Sequence, residues 1–95
     1  MSIGNHKTKV LTEGSITKVV YHNTAVFIID HSTRIVTLNS GGYRTNTTKK
    51  RINQSLDQFG MGGAHLYQKN FDWFICKNRN AEPMPFTDNM EISFN

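Results

Sequence analysis

Apolar and β-branched residues alternate with polar ones along the first part of the chain, and that alternation predicts strands. Residues 15–21 (SITKVVY), 24–30 (TAVFIID) and 34–39 (RIVTLN) are three such runs. The middle one is almost continuously apolar, which predicts a central strand covered on both faces. His22-Asn23 and His31-Ser32-Thr33 are the short polar links between them. Links that short join antiparallel neighbours, so the three runs predict a meander. Upstream, Thr12-Glu13-Gly14-Ser15 is a turn signal. Residues 1–9 (MSIGNHKTK) predict a loose polar arm, or a short edge strand reaching Val10-Leu11.

The period then changes. Ser40-Gly41-Gly42 breaks the sheet, and paired glycines permit positive φ and close backbone approach. Ile52, Leu56 and Phe59 recur at i, i+4 and i+7, the apolar stripe of a helix. Thr45, Asn46 and Thr47 are all able N-caps, and Gly60 supplies the left-handed residue that commonly ends helices. The predicted helix covers residues 47–59. After a connector rich in glycine, residues 65–68 (HLYQ) and 72–76 (DWFIC) predict a hairpin turning at Lys69-Asn70-Phe71. Period two puts Phe71, Trp73 and Ile75 on one face and Phe74 and Cys76 on the other. Residues 77–90 read as loop and tail, containing both prolines, and residues 90–94 (MEISF) could add an edge strand. These elements predict one α+β domain over residues 1–95: an antiparallel sheet (three-strand meander, one helix, then a hairpin) with the helix packed on one face. Ile52, Leu56 and Phe59 should meet that sheet near Phe27 or Ile28.

Composition narrows the class. The chain has 95 residues, 37% of them hydrophobic, with six Phe, three Tyr and one Trp, enough to build one modest core. Cys76 is the single cysteine, which excludes an internal disulfide and fits a reducing compartment. No apolar run approaches the ~20 residues of a membrane span, and the N-terminus lacks a signal-peptide core. A soluble protein inside a cell, with no membrane partner, is the resulting expectation.

Charge supplies the candidate chemistry. The net charge is +4, which favours anionic partners. The densest positive run, Lys49-Lys50-Arg51, sits in the first turns of the predicted helix, with Arg44 just upstream. Helix N-termini favour acids there, and each misplaced cation costs ~0.3–1 kcal/mol when exposed. Two readings stand: a solvated basic face, or a site where a phosphate meets free amides, the helix dipole and basic side chains together. In the second reading Arg44, Lys49, Lys50 and Arg51 contact phosphates. Gly41 and Gly42 admit close backbone approach, and Thr45, Thr47 and Thr48 donate to phosphate oxygens. Tyr43 either stacks on an unpaired base or lies as a lid over the core.

Catalytic and metal signatures are missing. His6, His22, His31 and His65 have no ligand-pair spacing, and one cysteine builds no structural zinc site. Neither a phosphate-loop nor a serine-elbow pattern occurs, and no cofactor is implied. Cys76, His31 and Asp30 are a scattered nucleophile set, with Cys76 inside an apolar strand. Metal-free RNA cleavage would need Tyr43, Arg44, Lys49 and His65 to meet.

The run TLNSGGYRTNTTKKRIN over residues 37–53, followed by YQKNFDWF over residues 67–74, resembles a group of small uncharacterised proteins encoded by tailed bacteriophages. The resemblance spans the middle and later chain, not the N-terminal arm or the tail after Lys77. It implies a phage protein acting in the host cytoplasm and carries no activity over. The first expectation is therefore a small basic accessory protein that binds the phosphate backbone of DNA or RNA without catalysis. The alternatives are a protein that binds and inhibits or redirects an acidic host protein, and a minor virion component. The last would use Met61, Met84, Pro85 and Phe86 as an apolar contact, with homo-oligomers left open.

Overall fold

The chain crosses one antiparallel sheet four times before it turns into its helix. The computed structural model describes residues 7–42 and 44–94. In chain order the elements are β1 (Thr8–Glu13), β2 (Ile16–Tyr21), β3 (Thr24–Asp30), β4 (Ile35–Leu38), α1 (Asn46–Gln58), β5 (His65–Lys69), β6 (Asp72–Cys76), β7 (Met84–Pro85) and β8 (Met90–Ser93). The large sheet has the order β1-β2-β3-β4-β8, and a smaller one has the order β5-β6-β7. The meander, the helix, the hairpin and the last edge strand are thus all present, in an α+β fold. The expected N-terminal arm enters the sheet early: Thr8 and Lys9 already pair with Tyr21 and Val20. Residues 1–6 lie outside the described residues. The stretch read as loop and tail contributes β7, where Pro85 and Met84 pair with Phe74 and Ile75.

β3 does not owe its apolar run to cover on both faces. Its pairing with β2 slips, so that Val19 faces Phe27 whereas Val20 faces Ala25. Val26 is the extra residue, and the bulge turns it inward beside Phe27. Ile28 is only half-buried, in a cross-strand row with Lys18, Thr37 and Glu91. The inward face carries Val19, Phe27 and Leu38 in one row and Thr17, Ile29, Val36 and Ile92 in the next, all buried. β1 overhangs this core. Its Val10 is 46% exposed and its Leu11 53%.

α1 lies between the two sheets. Ile52 and Leu56 are fully buried, and Phe59 stacks on Phe27 at 5.6 Å, as the apolar stripe predicts. The helix ends in a Schellman motif: Gly60 N–H donates to Asp57 O and Met61 N–H to Leu56 O, with Gly60 at φ +89°. On the other side the Asn53 side chain bonds both the N–H and the C=O of Leu66, at 2.7 and 2.8 Å. Those groups belong to the outer edge of β5, so one amide satisfies a strand edge and fixes the small sheet on the helix.

The β5–β6 hairpin departs from the period-two reading at Phe71. Lys69 pairs with Asp72, leaving Asn70 and Phe71 as a two-residue turn with φ +51° and +71°. That is a type I′ turn, whose second position normally holds glycine. Phe71 is therefore not on the face of Trp73 and Ile75. It stands 92% exposed, in a backbone conformation that costs an L-residue roughly 1–2 kcal/mol.

Candidate functional site

Thr45 caps the helix. Its Oγ1 accepts from the Thr48 N–H at 3.2 Å and bonds the Thr48 hydroxyl at 3.1 Å. Thr48 is buried by this arrangement, Thr47 is half-buried, and no acid occupies the first turn. The glycine turn before it is held by its own side chains and by Asp88. Ser40 N–H and Oγ both donate to Asp88 Oδ1, at 2.8 and 2.7 Å. Gly41 N–H donates to Asn39 Oδ1 and Gly42 N–H to Ser40 Oγ. Gly41 is needed for packing: at φ +65° a Cβ there would meet the Thr24 side chain. These amides are committed to Asp88 and to the turn's own side chains. Burial pushes the Asp88 carboxyl up, but the two Ser40 bonds and the Arg44 guanidinium outweigh it and leave it below its ordinary value.

The basic residues fan out around the helix. Arg51, expected at a phosphate, is 6% exposed and turned inward. Its Nε donates to Thr8 Oγ1 at 3.0 Å, an Nη donates to Gln54 Oε1 at 3.1 Å, and its guanidinium lies 5.9 Å from the Tyr21 ring. It latches β1 to the helix. The helical period carries the signal, because Thr48, Arg51, Ile52, Ser55 and Leu56 fall on one stripe and all are buried.

Arg44 and Lys49 converge on Trp73 instead. The Arg44 guanidinium is 5.7 Å from the Trp73 ring and 5.3 Å from Phe86, and its Nη2 donates to Phe86 O at 3.5 Å. The Lys49 ammonium is 5.8 Å from Trp73 and donates to Gln68 Oε1 at 3.5 Å. Both cations are thus steadied by aromatic faces, with the Asp88 carboxylate also near Arg44. Lys50 is exposed. Asn53 bonds Leu66 and Lys49 bonds Gln68, so β5 runs toward the N-terminal end of α1. The next residues along it are exposed Lys69, then the Asn70-Phe71 tip. Arg44, Lys49, Lys50, Lys69 and Phe71 therefore belong to one end of the molecule. Tyr43 lies outside the described residues.

A cleft of about 360 Å³ opens at the same end. Tyr21, His22, Asn23 and Thr24 of the β2–β3 turn line it, with Ser40, Thr45 and Thr48 across from them. In the sequence His22-Asn23 reads as a plain turn. Nothing local marked its position over the helix start, which follows from the strand lengths.

The scattered catalytic sets are not assembled. Thr17 Oγ1 bonds the His31 Nε2 at 2.8 Å, and Asp30 Oδ1 accepts from the Ser32 N–H and hydroxyl at 2.9 and 2.6 Å. Cys76 is buried beside Tyr67, whose hydroxyl is raised above its ordinary range by burial and by that thiol. His65 packs on Tyr67 at 5.4 Å, three residues along β5 from Gln68 and so about 10 Å from the Lys49 contact. His22 and His31 sit at opposite ends of β3. Among the described residues no group of His, Cys, Asp or Glu could hold a metal ion, and no helix is long and apolar enough to cross a membrane. The apolar contact expected of Met61, Met84, Pro85 and Phe86 is also divided, since Met61 and Phe86 are core residues.

No curated protein and no solved structure matches this chain. A family model does, that of the Kyanoviridae Gp96 protein, over residues 1–93, in keeping with the tailed-phage resemblance. The chain belongs to the Kyanoviridae Gp96 protein family, small proteins of tailed phages.

Proposed function

We propose that this phage protein binds the phosphate backbone of nucleic acid through the end of the molecule that carries Arg44, Lys49, Lys50 and Lys69. The observation that carries the reading is that those four cations share the end of the molecule beside a helix N-terminus whose first turn holds no acid, with Arg44 and Lys49 on one Trp73 ring. Trp73 and Phe86 hold Arg44 and Lys49 in place, so less side-chain entropy is lost when an anion is met. Arg51 has no part in the contact. Binding is non-catalytic in this reading, since positioning cations contribute affinity without a general acid or base. The test is fluorescence anisotropy of the purified protein with labelled DNA and RNA across a salt series. Replacing Arg44, Lys50 and Lys69 together by Ala should lower the slope of log affinity against log salt by about 2 to 3. Unchanged affinity in that variant, or no binding by the natural protein at low salt, would overturn the reading.

The β1 edge favours a second reading, a module that binds and inhibits or redirects a host protein. β1 pairs with β2 along one side and exposes Val10 and Leu11, a geometry suited to strand addition. It calls for a host partner whose capture survives nuclease treatment and is lost in Val10→Lys/Leu11→Lys.

A further inference from the structure

We propose that the β5–β6 hairpin tip is a base-stacking wedge, with Phe71 packing on an unpaired base, so that the ligand of the neighbouring basic end is single-stranded nucleic acid. The inference rests on the nucleic-acid reading above and deepens it.

Phe71 contributes nothing to the core. It is 92% exposed, whereas Trp73 and Ile75, on the adjoining strand, are buried. Its backbone conformation is one that glycine fills without strain, and Asn70 before it is a usual first residue of such a turn. Asn-Gly would make a better hairpin. An aromatic ring held there is unfavourable for the fold twice over, through the backbone and through exposed apolar area. A residue unfavourable for folding in two independent ways points to a contact made outside the chain.

Charge selects the occupant. Lys69 leads into the turn opposite Asp72, and Lys49 lies one residue further along β5 through its bond to Gln68. Arg44 shares Trp73 with Lys49. A protruding ring at an end where Arg44, Lys49, Lys50 and Lys69 outnumber the one acid beside it, Asp72, suits a strand whose bases are free to stack and whose phosphates follow the positive surface. In a duplex the base faces are covered by their neighbours, so the ring would find no partner there. The β5–β6 strands behind the tip hold it rigidly, fixed on α1 by Asn53.

The experiment compares the natural chain with Phe71→Gly, Phe71→Trp and the Arg44/Lys50/Lys69→Ala variant. The probes are a labelled oligothymidylate of about 15 nucleotides and the duplex of a mixed sequence of that length. Phe71→Gly keeps the turn and removes the ring. It should weaken oligothymidylate binding roughly 5- to 150-fold, leave the salt slope unchanged and leave duplex binding as it was. Phe71→Trp should keep the affinity and show indole fluorescence quenched on binding. Equal affinity of Phe71→Gly and the natural chain, with the basic variant still weakened, would overturn the wedge and leave the backbone reading standing. Loss of self-association on sedimentation in Phe71→Gly, with oligothymidylate affinity unchanged, would overturn it in favour of a contact between copies. No binding by the natural chain to either probe would overturn both.

Discussion

At its C-terminal end α1 closes on itself. Gly60 and Met61 donate to Asp57 and Leu56, Phe59 stacks on Phe27, and His31 lies edge-on to Phe59 while bonding Thr17. Each group there is turned toward another part of the chain. At the N-terminal end the aromatic surface serves cations instead, with Trp73 beneath both Arg44 and Lys49, and Phe71 projects without cover. Charge differs in balance rather than in kind: Glu13, Asp30 and Asp57 stand with Arg34 at the closed end, and Arg44, Lys49, Lys50 and Lys69 outnumber Asp72 and Asp88 at the open one. One end is completed by folding alone, and the other keeps an exposed ring and exposed cations.

The largest effect should come from opposite stability changes at the two ends. Leu56→Ala removes a fully buried side chain beside the Schellman motif and should cost ~2–5 kcal/mol by urea unfolding. Phe71→Gly, at the open end, should raise stability by up to about 1 kcal/mol, because the turn conformation no longer strains an L-residue. A destabilised Phe71→Gly would mean that the tip is part of the fold, and the contrast would collapse. A narrower contrast separates two neighbouring cations. Arg51→Ala gives up charged hydrogen bonds to Thr8 and Gln54 and should cost ~1.5–3 kcal/mol, with faster amide exchange along β1. Lys50→Ala should change stability by less than about 0.5 kcal/mol while weakening nucleic-acid binding.

The fold was legible wherever the hydrophobic period was unbroken. Ile52, Leu56 and Phe59 specified the helix and its buried face, and Gly60 marked its end. The strand runs from Ile16 to Leu38 gave the meander through their short links. The reading failed where a single residue shifts the phase. The Val26 bulge makes an ordinary one-faced strand read as doubly covered, and the two-residue turn takes Phe71 off the face that counting by two assigns it. β7 was illegible because Met84 and Pro85 have no period of their own and pair only once β6 is in place. The candidate site was half legible. Composition located the positive end, but a charge run in sequence is not a patch on a helix, where successive residues point about 100° apart. That rotation sends Arg51 to β1 and Lys49 to Trp73. Lys69 and Phe71 join the same end through the hairpin, a contact across sequence that no local pattern records.

The smallest effect tests whether the open end depends on a single distant carboxylate. Asp30 and Asp88 both titrate below their ordinary value, one at each end. Asp30 is lowered first by the Ser32 hydroxyl and then by the Ser32 amide, two residues away in its own turn. Asp88 accepts from Ser40 across 48 residues of chain, against burial that opposes ionisation. A carboxylate with a depressed folded pKa adds stability above its unfolded pKa, near 3.8, and loses it as pH falls through the folded value. Both therefore contribute at neutral pH and fade in acid. The Asp30 turn can form locally in the unfolded chain, which shrinks its net share. The Asp88 bond exists only when the tail lies across the glycine turn, so its share belongs to the folded state. Asp88→Asn should flatten the fall in urea midpoint between about pH 6 and about pH 3 more than Asp30→Asn does. It should also loosen the Ser40-Gly41-Gly42 turn that leads to Arg44, lowering affinity for nucleic acid. Because the substitution removes a negative charge near Arg44, electrostatics alone would raise that affinity. A fall in affinity would therefore identify the carboxylate as the strut that holds the open end in shape, and a rise would leave it as a simple countercharge.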